Sequence, residues 1–108
     1  MADFGLSENV IILIKKVFEK YLDVEIVKIF GSRAKGNYRP NSDIDFALWG
    51  DIDPVVLGKI SLDLDDLPTP YKFDVKLYNE INHLKLKNHI DRVGKVFYKK
   101  NSKDPLKK

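Results

Sequence analysis

The stretch VEIVKIFGSRAKGNYRPNSDIDFALW, residues 24–49, contains two short apolar runs joined by a polar connection. Val24 to Phe30 is rich in β-branched residues and stops at Gly31-Ser32, which predicts a buried strand followed by a turn. Residues Ser32 to Ser42 include Gly36, Asn37, Pro40 and Asn41, which favour turns, so this segment is expected to be a loop, long for a plain connector. Asp43 to Trp49 reads as a second strand. Alternate residues of a strand share a face, so Asp43 and Asp45 project side by side.

Elements on either side of this stretch extend the pattern. Ser7 can cap a helix whose apolar positions Val10, Ile11, Ile14, Val17, Phe18, Tyr21 and Leu22 recur at steps of three and four. Asp53 before Pro54 marks the start of a second helix that runs toward Leu64, before Pro68 and Pro70 break the chain. Tyr71 to Tyr78 places Phe73, Val75 and Leu77 on one face and Lys72, Asp74 and Lys76 on the other, the pattern of a third strand. A last helix is expected from about Asn79 to Val93, ending at Gly94, and Lys95 to Tyr98 can add a short final strand. The order predicts an α/β (α+β) fold, a small mixed sheet covered by helices, with no internal repeat.

Composition narrows the function classes. A chain of 108 residues, 44% hydrophobic and 32% charged, suits one globular domain, expected over residues 1–98. No apolar run reaches the roughly 18 to 20 residues that cross a bilayer, and the N-terminus lacks a signal-peptide pattern, so a cytoplasmic protein is expected. The absence of cysteine excludes disulfides and thiolate chemistry and leaves oxygen ligands for any metal. The net charge is +3, but five lysines against Asp104 fall in residues 99–108, which leaves 14 basic and 15 acidic side chains in the body. The Lys-rich tail is expected to be a flexible solvated terminus, and nucleic-acid binding is not the favoured reading.

The carboxylate pair carries the chemistry. Neighbouring like charges repel unless one takes a proton or a cation sits between them. Mg²⁺ suits hard oxygen ligands, takes one or two protein carboxylates and completes its shell with water and phosphate, which points to a phosphate-bearing substrate. Asp74 can supply a third carboxylate if its strand neighbours the first pair. Gly31-Ser32-Arg33-Ala34-Lys35-Gly36 adds a glycine that lets backbone approach a phosphate, a hydroxyl, turn amides and two cations.

Gly31-Ser32-Arg33-Ala34-Lys35-Gly36, then Arg39-Pro40-Asn41-Ser42-Asp43-Ile44-Asp45 and the later Phe73-Asp74-Val75, closely resemble the signature of the DNA polymerase β-like nucleotidyltransferase superfamily. Within it the chain resembles the minimal (MNT) branch, and the likeness runs from about Ser7 to Tyr98. The resemblance implies that Asp43, Asp45 and Asp74 are catalytic and hold one or two Mg²⁺ ions, with Asp74 also placed to take the acceptor's proton. It implies that Gly31, Ser32, Arg33, Lys35 and Ser42 hold the NTP substrate, expected to be ATP. Lys35 stands where arginine is frequent, and Asn37-Tyr38 where smaller residues are frequent; these departures leave the acids intact. The resemblance further implies a helical HEPN-type protein partner, with the chain as antitoxin transferring AMP to a partner hydroxyl.

Plainer readings stand beside these. The chain can instead be a non-catalytic antitoxin or adaptor that binds a helical partner by contact alone. Asp74 can pair with Lys72 or Lys76, and Arg33 and Arg39 can be exposed loop cations. His83 and His89, six apart, fall on different helix faces and do not suit a shared zinc site. Trp49 is expected to pack at the edge of the core, and Asp63, Asp65 and Asp66 to form a solvated helix end.

Overall fold

A computed structural model of the chain describes residues 4–100. Nine elements follow in order: α1 (Glu8–Glu19), β1 (Val24–Phe30), the single turn α2 (Ser32–Lys35), β2 (Ile44–Gly50), α3 (Pro54–Asp65), β3 (Phe73–Leu77), a 3₁₀ turn (Tyr78–Glu80), α4 (Leu84–Val93) and β4 (Lys95–Lys99). The four strands form one sheet in the order β3-β2-β1-β4. β1 runs antiparallel to β2 and to β4, whereas β2 and β3 are parallel, joined by the crossover helix α3. The sheet is therefore mixed, as expected.

The caps read from the sequence are present. Ser7 Oγ accepts from Val10 N–H at 3.3 Å, and Asp53 Oδ1 accepts from Val56 N–H at 2.9 Å with Pro54 in the first turn. Each such cap contributes on the order of 1 kcal/mol. The last helix starts later than its sequence suggests. Tyr78–Glu80 closes a 3₁₀ turn, and α4 begins at Leu84 under His83, whose Nδ1 accepts from Leu86 N–H at 3.2 Å.

Strand alternation divides the apolar side chains between two cores. One face of the sheet, with Val27, Ile29, Ile44, Phe46 and Leu48, packs against Ile14, Val17 and Phe18 of α1 and Ile60 and Leu64 of α3. Phe18 sits edge-on to Phe46 at 5.3 Å and to Phe97 at 6.4 Å, so truncating it would cost about 3–5 kcal/mol. The opposite face carries a smaller cluster of Phe30, Ala47 and Ile90, with Trp49, Tyr78, Leu86 and Val93 beside it. α4 covers this second face in part, and the acidic end of the face stays open.

Asp63 departs from the solvated helix end expected of it. Its carboxylate accepts from Tyr21 Oη and pairs with Lys20 Nζ at 3.0 Å, joining the ends of α1 and α3. β4 reaches Lys99, and Lys100 Nζ donates to Leu22 O at 2.9 Å, so the first two residues of the Lys-rich tail belong to the folded body. The rest of that tail, 101–108, lies outside the described residues. Among the described residues no helix is long and apolar enough to cross a membrane.

Candidate active site

Strand register brings the acids together. Asp45 and Asp74 are direct partners in the parallel pairing of β2 and β3. Asp43 precedes β2 by one residue and, two positions from Asp45, shares its face. Ala47, Trp49, Lys76 and Tyr78 continue the same face toward the second core, so acids occupy one end of it and aromatics the other.

The electrostatics follow from this placement. Asp45 is half-buried, and its carboxyl is pushed up to about 6, first by burial, then by the charges of Asp74 and Asp43. Lys76 opposes the rise and stands 3.3 Å from Asp74 Oδ2, so the ion-pair reading of Asp74 is also realised. Among the described residues no three His, Cys, Asp or Glu side chains form a metal cage. The donors present are carboxylate oxygens from two adjacent strands, open on one side. Their chemistry fits a hard cation that keeps several positions for water and phosphate, and the raised Asp45 carboxyl marks the negative charge such an ion would offset.

The Gly31-Ser32 turn reaches the acids because Phe30 pairs with Asp45 across β1 and β2, which places Gly31 just beyond it. Gly31 has φ 76° and ψ −157°, and a Cβ built on it would lie 2.4 Å from Asp45 Oδ2. Glycine is required there twice over, by the left-handed φ and by the carboxylate beside it. Ser32 is the first residue of α2 and half-buried; Lys35 is exposed at the end of the same turn. The connection expected as a long loop thus opens with a helical turn, closed by Gly36 at φ 91°.

Arg33 is where the structure corrects the sequence reading. It is neither an exposed loop cation nor turned toward the site: the side chain is 2% exposed. Nε donates to Ser42 O at 3.1 Å, Nη1 to Phe4 O at 2.9 Å and Nη2 to Pro40 O at 3.2 Å. The guanidinium lies between the rings of Tyr38 and Tyr71, at 5.2 and 4.9 Å. With each guanidinium nitrogen donating to a carbonyl and two rings beside it, it ties the N-terminal segment to the 37–42 loop and is not placed to meet a triphosphate. Ser42 is likewise engaged locally: its Oγ accepts from Arg39 N–H at 2.8 Å, and its N–H donates to Arg39 O at 2.9 Å. This turn delivers Asp43 to the start of β2.

Sequence reasoning left one residue of this region without a role. His89 on α4 accepts from Gly31 N–H through Nε2 at 3.3 Å, with its ring edge-on to Phe30. The two residues are 58 apart in sequence, and no local signal announces the contact. The histidines do sit apart, His83 as a cap and His89 on the turn. Trp49 stacks on Tyr78 at 4.5 Å, packing at the edge of the core as expected. A groove of about 380 Å³ at the free edge of β3, lined by Leu57, Val75, Leu77, Ile81 and Leu86, adjoins the acids through Lys76.

Comparison with known proteins places this geometry. The family model described as polymerase beta, nucleotidyltransferase matches residues 13–103. No curated protein matches the chain. Among solved structures, a chain of a toxin–antitoxin crystallised with AMP-PNP superposes with a TM-score of 0.68 at 23% identity, covering 94% of this chain and 80% of that one. A chain of the toxin–antitoxin MntA-HepT gives 0.65 at 17% identity, covering 93% and 79%. A chain of a complex between the tri-AMPylated Shewanella oneidensis HEPN toxin and its MNT antitoxin gives 0.64 at 17%, covering 92% and 77%. These likenesses are of fold.

Proposed function

Since the chain belongs to the polymerase beta nucleotidyltransferase family, we propose that it is an Mg²⁺-dependent enzyme that transfers AMP from ATP to a hydroxyl of a helical partner protein, as an antitoxin. The observation that carries this reading is the register pairing of Asp45 with Asp74 beside the Gly31-Ser32 turn. The choice of nucleotide and partner is supported by the folds it resembles, which were crystallised with AMP-PNP and as an AMPylated HEPN toxin with its MNT antitoxin.

In this reading Asp43, Asp45 and Asp74 hold one or two Mg²⁺ ions. Bound there, Mg²⁺ supplies charge neutralisation of the triphosphate and acidifies the acceptor hydroxyl. Ser32 binds the triphosphate from the turn, with the Gly31 backbone close enough to Asp45 to keep phosphate and carboxylates within one small volume. The acceptor oxygen attacks the α-phosphorus, the bond from that phosphorus to the bridging oxygen of pyrophosphate breaks, and pyrophosphate leaves with the electron pair. Asp74 takes the acceptor's proton. Lys76, 3.3 Å from Asp74, keeps a positive charge beside the open acids. Arg33 and Ser42 take no part in the step; they build the loop that aims Asp43.

Calorimetry of the purified chain with ATP, CTP, GTP and UTP, each with Mg²⁺ and with EDTA, tests the reading. Metal-dependent ATP binding that disappears in Asp43→Ala is expected. A folded Asp43→Ala chain that still transfers AMP to its partner would overturn the mechanism. Full neutralisation of the partner by Asp43→Asn would favour occlusion by contact alone.

A further inference from the structure

The Gly31-Ser32 turn meets two side chains from distant sequence, and α4 supplies one of them. β1 makes its last pairing with β4 at Ile29–Lys95 and with β2 at Phe30–Asp45. Gly31 N–H therefore lies beyond both ladders, and its acceptor is His89 Nε2 at 3.3 Å. An imidazole nitrogen accepts only when it carries no proton, so this contact requires the neutral ring with its hydrogen on Nδ1. The ring is steered by Phe30, edge-on with centroids 6.1 Å apart. Gly31 also abuts Asp45 Oδ2. Gly31 thus meets both an imidazole on α4 and a carboxylate on β2.

We propose that His89 is a positioning residue: it fixes the Gly31 amide so that Ser32 and Asp45 keep the spacing that accepts a nucleoside triphosphate, without touching nucleotide or acceptor. This rests on the reading of the site as an NTP site. Packing of α4 does not need the nitrogen, because Ile90, Leu86 and Val93 already meet Phe30 and Ala47. The ring nitrogen has a separate use. An unpaired Gly31 amide would leave a backbone at φ 76° with one anchor fewer, in the turn where the phosphates must fit.

His89→Phe keeps a flat ring and removes the acceptor, and His89→Gln restores an acceptor of similar reach. We would compare both with the wild type and Asp43→Ala by calorimetry with Mg-ATP, thermal melting, and NMR of the imidazole nitrogens. His89→Phe is expected to bind ATP about 5- to 10-fold more weakly with its melting temperature kept, and His89→Gln to recover most of the loss. The wild-type ring is expected as the Nδ1–H tautomer. If His89→Phe binds ATP like the wild type while Asp43→Ala does not, the role of His89 is overturned and the NTP site stands. If Asp43→Ala binds like the wild type, the site reading fails. The tautomer then still decides the contact, because a ring protonated at Nε2 would overturn it.

Discussion

Asp45 and Asp74 face each other across the parallel pairing of β2 and β3, and this places two carboxylates of distant sequence on one open patch. The arrangement is costly for the protein alone, since burial and the two neighbouring acids push the Asp45 carboxyl up to about 6. A fold that needed only stability would not assemble it. The cost becomes useful when a cation and a phosphate share the patch.

That cost can be measured. Asp45→Asn removes the charge at nearly the same volume, so in EDTA at neutral pH the variant is expected to melt higher than the wild type. The gain should be modest, roughly 2–5 °C, because Asp45 is half-exposed and water screens its neighbours. The same variant is expected to lose AMP transfer by at least about 100-fold. A melting temperature below that of the wild type would mean that the Asp45 carboxylate is satisfied by its surroundings.

Gly31→Ala tests the closeness of the turn to the acids. An alanine there meets a positive φ with extended ψ, a region essentially reserved to glycine that costs about 1–3 kcal/mol, and its methyl would overlap Asp45 Oδ2. Transfer is expected to fall at least about 10-fold while circular dichroism shows the fold retained. Unchanged kcat/KM would show that turn and carboxylate are farther apart in the working enzyme.

Arg33 makes a prediction about stability. Removing its fork leaves the carbonyls of Phe4, Pro40 and Ser42 without their donor, so Arg33→Ala should lose about 3 kcal/mol in urea denaturation. Arg33→Lys should recover little, because an ammonium cannot span three carbonyls and stack between two rings. Equal stability of Arg33→Lys and wild type would show that charge alone is needed at this position.

Much of this architecture was legible in residue order. The apolar periodicity of Ile14, Val17 and Phe18 marked α1, the β-branched run at Val24 marked β1, and alternation around Asp43 and Asp45 put both acids on one face. What could not be read were contacts made by register and crossover. Nothing local pairs Asp45 with Asp74, or His89 with Gly31, because each pair meets only once the sheet has formed. Arg33 escapes the sequence for a different reason: a charge in a polar loop suggests solvent, and its burial depends on carbonyls and rings from three separate segments. The sequence sets the start of the last helix too early, at Asn79, because no Gly or Pro interrupts Asn79 to Val93; His83 sets the true start.

Tyr21 and Asp63 supply the pH dependence. The bond from Tyr21 Oη to Asp63 raises the tyrosine from its ordinary 10.0 to about 12 and holds the Asp63 carboxyl below its ordinary 3.8, with Lys20 assisting. A depressed carboxyl contributes stability above its unfolded value and loses it as pH falls through the folded one; a raised phenol contributes below 10.0 and loses it as pH climbs toward 12. The bond therefore works fully between 3.8 and 10.0. Tyr21→Phe should cost about 1 kcal/mol or less at neutral pH, since Asp63 remains partly open to water, and the difference from wild type should shrink at about pH 3 and below. Urea denaturation of both chains at the two pH values checks it. A difference that persists undiminished in acid would assign the effect to a contact of the hydroxyl that does not depend on the Asp63 charge.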